Sequence, residues 1–470
     1  MVRATSGTST SGPAVPALAA RSAEAEPQVR IRRRIALLSL GALAVLYVAL
    51  AVPVAASGST VVLATAERSP SWLLGPWRIF GADGADGSLT GPLFYTGLWL
   101  SMVMYVVVLA CAGAIGPRLA IGAIAAFHVL FLLAPPLLSQ DVFSYISYAR
   151  LDVVHSLNPY THSPNDAPGD AAFAFAGSKD STSVYGPLFT LATYPLAKLS
   201  VPAAFWTFKA VVALASAGII ALAWDCARRL GRDPVFVALA IGLNPLVLVH
   251  VVAGAHNDAL VVLLLLATIL AALRAAQSPR AGKVREGLGG FFNSLATGIK
   301  LSGGLLFPFL VLGVRQRVPV IAGAVLAALA MVAVSLIAFG GDALDAIGSL
   351  GDNQDRTSRW SLPQRSADGI GALTGASPDA VVDFTRAIFG VAFVAVLLLL
   401  LYRTRRAPAG SACWITAAGW ATLALLVASA WLVPWYAIWL VPIAALSASR
   451  PLLVGSLALC AYMLVIAVPL

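Results

Sequence analysis

Charge is scarce in this chain. Asp, Glu, Lys and Arg make up 11% of its 470 residues and hydrophobic residues 59%, so a water-soluble globule could not clothe its surface. Cysteine is rarer still: Cys111, Cys226, Cys413 and Cys460 fall inside apolar runs or at their expected cytoplasmic ends, which argues against a disulfide framework. There is no G-x-x-x-x-G-K-[ST] phosphate loop and no dinucleotide fingerprint after a predicted strand. No stretch on the expected cytoplasmic side is long enough for a nucleotide-sugar domain, so an activated sugar would have to arrive through the membrane as a lipid. The net charge of +10 does not imply nucleic acid, because most Lys and Arg sit in short loops between apolar runs, where they set topology.

What is present is a series of apolar runs of roughly 18–25 residues, the length of membrane-spanning helices. The reading is an all-α polytopic membrane protein with about 11–13 transmembrane helical pieces, in the plasma membrane. Residues 1–29 are expected to be a disordered cytoplasmic tail, and 30–470 a single transmembrane domain. Taking the basic end (Arg30, Arg32, Arg33, Arg34) as cytoplasmic, the alternation of basic loops predicts external loops at 57–91, 139–201 and 340–384. The second follows the third span, and the last precedes a helix starting near 385. Pro234–Ala253 reads as one outward span. Leu288–Val314 is basic at both ends and ~40 Å long as a helix, so it is expected to be a broken hairpin turning near Ser302-Gly303-Gly304, with Lys300 close to its tip and lining a site.

Asp141 is the candidate catalytic residue. It lies beyond a hydrophobic helix stopped by Pro135-Pro136, at the expected outer membrane boundary, with Gln140 before it and no second acid one turn away. Inverting transfer from a sugar phosphate needs one carboxylate to take the acceptor's proton, whereas the phosphate leaves as a stable anion and needs no acid. The bland alternative is a helix-end charge solvated by headgroup water. The same loop carries His155, Asn158, Tyr160 and Tyr185, and Tyr145 follows Asp141 by one turn; aromatic faces with polar tips suit a sugar ring, though turn chemistry accounts for several of them equally well. His256, Asn257 and Asp258 sit on the same expected side between apolar flanks, as sugar contacts or as a tight-turn cap.

Five cations are candidates for a lipid phosphate: Lys209, Lys300, Arg356, Arg359 and Arg365, of which two or three at most should bind it. Trp431, Trp435 and Tyr436 are candidate contacts for an isoprenoid tail, with a membrane-interface belt as the alternative. Asp166 and Asp170 do not form a compact cation cage; a Mg²⁺ or Mn²⁺ ion is allowed but not indicated, and no cofactor is required.

Taken in order, Asp141-Val142-Phe143-Ser144-Tyr145, Asn158-Pro159-Tyr160, Tyr185-Gly186-Pro187, His256-Asn257-Asp258-Ala259-Leu260 and Pro434-Trp435-Tyr436 resemble the polyprenol-phosphate-mannose-dependent α-(1→6)-mannosyltransferases of the GT-C superfamily, which build lipomannan and lipoarabinomannan in actinobacteria. The resemblance runs from about Arg30 to the end of the chain. It implies a GT-C-like fold, an inverting mechanism and an extracytoplasmic site with Asp141 as the acid–base residue. It also implies a polyprenyl-phosphate mannose donor and a mannan or lipomannan acceptor. The related arabinosyltransferases carry paired acids at this loop, and Gln140 departs from that pattern. The resemblance does not separate α-(1→6) extension from α-(1→2) branching. A transporter or flippase of lipid-linked sugars, suggested by the broken hairpin, and a non-catalytic partner of another glycosyltransferase remain as alternatives.

Overall fold

The computed structural model describes residues 14–55, 61–62, 70–80, 87–277, 282–344 and 357–466, and within them every regular element is helical. Six helices are long and apolar enough to cross a membrane, or seven if one bent pair is counted as a span. The chain is thus an all-α, multi-pass membrane protein. The expected pieces are unequal in length: Pro117–Leu132, Leu301–Gly313, Cys413–Ala428, Pro434–Leu446 and Arg450–Leu464 are shorter apolar helices beside the full-length ones.

The N-terminal expectation is corrected in part. Helix α1 spans Ala14–Ala51, so the segment from residue 14 to 29 is helical rather than a disordered tail; residues 1–13 lie outside the described residues. Helix α2 (Gly87–Ala110) packs along α1, and α3 (Pro117–Leu132) follows with Pro at its first position, where a missing N–H costs nothing.

Asp141 does not end a helix. After α3 the chain runs extended past Pro135-Pro136, and Asp141 opens a new helix, α4 (Asp141–His155), almost every residue of which is buried to Leu151. Phe143 stacks on Phe205 of α6 (Val201–Arg229), with ring centroids 5.5 Å apart and planes 10° apart, which anchors the first turn of α4 inward. The expected outer loop 139–201 is therefore structured at both ends, by α4 and by α5 (Pro187–Ala197).

A second correction concerns Pro234–Ala253. Helix α7 (Pro234–Gly242) stops, and a π-helical turn, Val247–Ala253, continues at a 65° bend. The cause is local: Pro245 has no N–H, and Asn244 Oδ1 accepts from Leu246 N (3.0 Å) and Val247 N (3.3 Å), diverting donors from the preceding turn. Two carbonyls in the last turn of the helix and just past it are met by buried tyrosines. Tyr47 of α1 donates to Leu243 O at 2.5 Å, and Tyr105 of α2 to Ala240 O at 2.6 Å. The bent segment, α8 (Asp258–Ala276) and α15 (Ala437–Leu446) are buried on nearly every face and form the centre of the bundle.

The hairpin expectation agrees with the structure. Helix α9 (Gly282–Ile299) breaks at Lys300, whose backbone is extended; a 3₁₀ turn, Leu301–Leu305, leads into α10 (Leu306–Gly313). Asn293 Nδ2 donates to Gly303 O at 3.1 Å, which ties the turn back onto α9. A Cβ on Gly303 would come within 2.8 Å of the Ala296 backbone, so the close approach requires glycine. Outside the centre lie α11 (Arg317–Phe339) and α13 (Pro378–Arg406), apolar on faces that no other helix covers. Helix α13 starts at Pro378, earlier than the expected 385, and α12 (Leu362–Thr374) occupies part of the loop before it; residues 345–356 lie outside the described residues. Helices α14 (Cys413–Ala428) and α16 (Arg450–Ile466) flank α15.

Candidate active site

A cavity of about 1110 Å³ opens where the start of α4, the Tyr185 loop, the break at Lys300 and the turn before α15 meet. Its polar end carries Asp141, Ser144, Ser181, Tyr185 and Lys300. Its apolar lining includes Met331, Val332 and Leu336 of α11 and Phe393 and Leu397 of α13. Trp431, Trp435, Tyr436 and Trp439 line it as well. The volume is that of a small-molecule site.

Asp141 is delivered by the first turn of α4, where the helix dipole favours a negative charge, and its side chain is 35% exposed toward the cavity. Its backbone N–H donates to Ser139 Oγ at 3.2 Å. Oδ2 lies 3.4 Å from Nδ1 of His256, within ion-pair reach but outside hydrogen-bond alignment. His256 itself is fully buried and stacks on Trp435, with centroids 3.9 Å apart and planes 16° apart.

The residues preceding each of these loops share an unusual backbone. Leu138 (φ 56°) and Ala255 (φ 54°) are left-handed and not glycine, and they stand three residues before Asp141 and one before His256. Each such residue costs about 1–3 kcal/mol, so the surrounding packing holds both loops in place.

Asp258, the first residue of α8, is fully buried, and its Oδ1 accepts from Lys300 Nζ (2.8 Å) and Trp439 Nε1 (2.6 Å). Lys300 Nζ also lies 4.5 Å from the centroid of Tyr436 and 5.1 Å from that of Trp439, rings that stack on each other. Lys300 is thus caged on the protein side and open to the cavity on the other.

Asn257, also buried, accepts from Tyr145 OH through Oδ1 at 3.4 Å. Tyr145 meets Tyr185 edge to face at 4.8 Å. Burial and then the charge of Asp141 push the Tyr185 phenol well above its usual range, so it stays protonated beside the carboxylate.

Several expected site residues are elsewhere. Lys209 is fully buried away from the cavity; Nζ donates to Phe131 O (3.2 Å) and to Ala134 O and rests near the Phe205 and Trp206 rings, so it satisfies carbonyls at the end of α3 and holds no phosphate. His155 binds Asp170 at 2.8 Å, beside the Arg150–Asp170 pair, and does not line the cavity. Burial works against the Asp170 charge, but hydrogen bonds from Arg150 and His155 outweigh it and hold its carboxyl below the usual range.

Asn158 shapes a turn, accepting from Tyr160 N (3.0 Å) and donating to Asp342 Oδ2 (3.1 Å). Tyr160 donates to Tyr185 O at 2.8 Å and so supports a lining residue without being one. Arg365 pairs with Asp368 at 3.0 Å and lies over Trp360, as Arg359 does; neither lines the cavity. Arg356 lies outside the described residues. Trp431, Trp435, Tyr436 and Trp439 all line the cavity.

One lining cation escaped the sequence reading. Arg386, in the early part of α13, falls just past the expected loop end at 384. Its signal was an arginine on the expected outer side of an otherwise apolar run. Among the described residues, no three His, Cys, Asp or Glu side chains converge to hold a metal ion.

Fold and site together define a polytopic, all-α membrane protein with a carboxylate and a cation lining an amphipathic cavity. The chain belongs to the alpha-(1→6)-mannopyranosyltransferase family MptA/MptB: the N-terminal domain model of that family matches residues 38–316, and the MptB C-terminal domain model matches 365–470. It is 27% identical to an alpha-(1→6)-mannopyranosyltransferase of Mycobacterium tuberculosis, over 68% of this chain and 64% of the relative. It is 29% identical to a probable alpha-(1→6)-mannopyranosyltransferase of Mycolicibacterium smegmatis, over 69% of this chain and 64% of that protein. A second M. tuberculosis relative, alpha-(1→6)-mannopyranosyltransferase A, is 27% identical over 67% of this chain and 62% of its own length. The chain therefore spans a little under two thirds of these relatives. No solved structure matches it.

Proposed function

We propose that this protein is an inverting mannosyltransferase of the plasma membrane, moving mannose from polyprenyl-phosphate mannose to a mannan or lipomannan acceptor in α-(1→6) linkage on the extracytoplasmic side. One observation carries the reading: Asp141 and Lys300 line the same cavity as a set of apolar side chains from α11 and α13. A lipid-linked sugar phosphate combines the same two kinds of surface. Its tail would lie against Met331, Leu336 and Phe393, and its phosphate near Lys300 and Arg386. The sugar would rest at the Tyr185 end, an aromatic face with a polar tip.

In this reading the acceptor hydroxyl attacks the anomeric carbon from the face opposite the phosphate. The carbon–oxygen bond to phosphate breaks, and phosphopolyprenol leaves with the electron pair. Asp141 takes the hydroxyl proton, so a β-mannosyl donor gives an α-mannoside. Lys300 and Arg386 offset the charge that grows on the departing phosphate. The family membership of the chain and the resemblance of its motifs both support this assignment.

The test is Asp141→Asn in membranes given β-mannosyl phosphopolyprenol and a mannose oligosaccharide. The expected result is a fall in kcat of about 10²–10⁴-fold, the range of a lost general base. Near-normal transfer by a folded variant would remove Asp141 as the base.

A further inference from the structure

We propose that His256 is a positioning residue for the base: its Nδ1–H holds Oδ2 of Asp141 and so helps set the direction in which the carboxylate meets the acceptor hydroxyl. The proposal rests on Asp141 being the base. The sequence pattern alone suggests instead that His256 touches sugar, but the imidazole is fully buried and does not line the cavity, while Asp141 and Trp435 on either side of it do.

The geometry favours an orienting role. Both ring nitrogens are buried without an aligned hydrogen bond, and the Asp141 carboxylate 3.4 Å from Nδ1 is within a small rotation of one. An unmet buried polar group is costly, so the ring is held there for a reason beyond packing. It is held firmly. Trp435 stacks on one face, His256 N donates to Val251 O at 3.2 Å, and left-handed Ala255 sets the turn. Gly254 is required beneath it, because a Cβ there would lie 2.3 Å from His250 O and 3.2 Å from the imidazole Cδ2.

A general base must present a lone pair along the attack line, so a donor held rigidly beside its carboxylate helps set that direction. An imidazole N–H held in place by stacking restrains that carboxylate. Lys300, by contrast, is engaged by Asp258 at 2.8 Å. The two loops thus carry separate duties: His256 orients the base, and Asp258 orients the cation.

The test compares His256→Leu and His256→Asn in the full chain, with β-mannosyl phosphopolyprenol and a mannose oligosaccharide, after each variant is matched to wild type for thermal melting in detergent. The Nδ2 of asparagine falls where the imidazole Nδ1 stood. His256→Leu is expected to lower kcat about 10- to 100-fold, the size of one hydrogen bond to a charged group, with KM for both substrates within about 2-fold. His256→Asn should recover kcat to within about 5-fold of wild type. In an Asp141→Asn background, His256→Leu should add no further loss.

Wild-type kcat in His256→Leu overturns the proposal, as does His256→Asn being as impaired as His256→Leu. A rise in KM in place of the loss in kcat also overturns it, since that is the mark of a substrate contact. Should His256→Leu not fold, His256→Asn decides alone: recovery to within about 5-fold supports the tether, and deeper loss sinks it. Inactive Asp141→Asn beside a fully active His256→Leu removes only the positioning role. Active Asp141→Asn removes the base and this proposal together.

Discussion

Lys300 Nζ lies 2.8 Å from Asp258 Oδ1, so the break in the α9–α10 hairpin is tied to the first turn of α8 by an ion pair with one partner fully buried. Asp258 Oδ1 also takes the Trp439 indole N–H, and the lysine is left open to the cavity. A lysine on a flexible stem becomes a fixed charge in this way, because the carboxylate and two aromatic rings limit where its ammonium can sit.

Two substitutions separate the parts of this pair. Asp258→Ala leaves the lysine without its anion and should lower stability by about 2–4 kcal/mol, read as a fall in melting temperature in detergent. Lys300→Ala should lower kcat by about 10²–10³-fold, the usual loss of a charge-stabilising donor. A Lys300→Ala protein with wild-type turnover would take the lysine out of the site.

Lys209 makes the opposite prediction. Its ammonium serves carbonyls at the end of α3 and does not reach the cavity. Lys209→Met keeps the stem and removes the donor, so melting should fall by about 1–3 kcal/mol for the carbonyls left unmet. Turnover of the folded fraction should stay within about 2-fold of wild type. A selective rise in KM for the lipid donor would show that the lysine reaches phosphate after all.

Gly186 crosses directly over the end of α9. A Cβ there would lie 2.0 Å from Gly298 O, a backbone atom that cannot step aside, and Gly186 N already donates to Ile299 O at 3.4 Å. Gly186→Ala should therefore push Tyr185 and Pro187 off the hairpin and cost about 1–3 kcal/mol. Transfer activity should drop with it, since Tyr185 and Lys300 are displaced relative to each other. An alanine variant with unchanged melting and activity would contradict the close approach.

Sidedness is open to chemical labelling. In a background lacking the four native cysteines, Asn165→Cys should react with an impermeant maleimide on intact cells, and Arg405→Cys only after permeabilisation; both positions are exposed. The reverse pattern would place the cavity mouth on the cytoplasmic side and remove access to an external acceptor.

Much of this was legible before any coordinates. Runs of apolar residues must be helical in a membrane, because hydrocarbon offers no partner for a free backbone group, and so the fold class follows from composition. The hairpin at Lys300 could be read from basic residues on both sides of an over-long apolar run. Asp141 could be singled out as one carboxylate at an expected membrane boundary, in a loop that mixes aromatics with hydrogen-bonding groups. Each of these inferences depends on the chain near the residue in question.

The rest depends on neighbours far away in the chain. Lys209 and Lys300 look alike in the sequence, each a cation in apolar surroundings; one is enclosed by α3 carbonyls and the other opens into a cavity, and only packing separates them. The 65° bend after α7 is seeded locally by Asn244-Pro245, yet two carbonyls beside it are met by tyrosines from α1 and α2. His256 is buried against Trp435, 179 residues further on (435 − 256), and so does not line the cavity where the sequence pattern would have it touch sugar. Local chemistry settles where the chain can cross a membrane and where a charge is costly; which charges meet in one cavity is settled by long-range packing, since burial is a property of the assembled helices and not of any one of them.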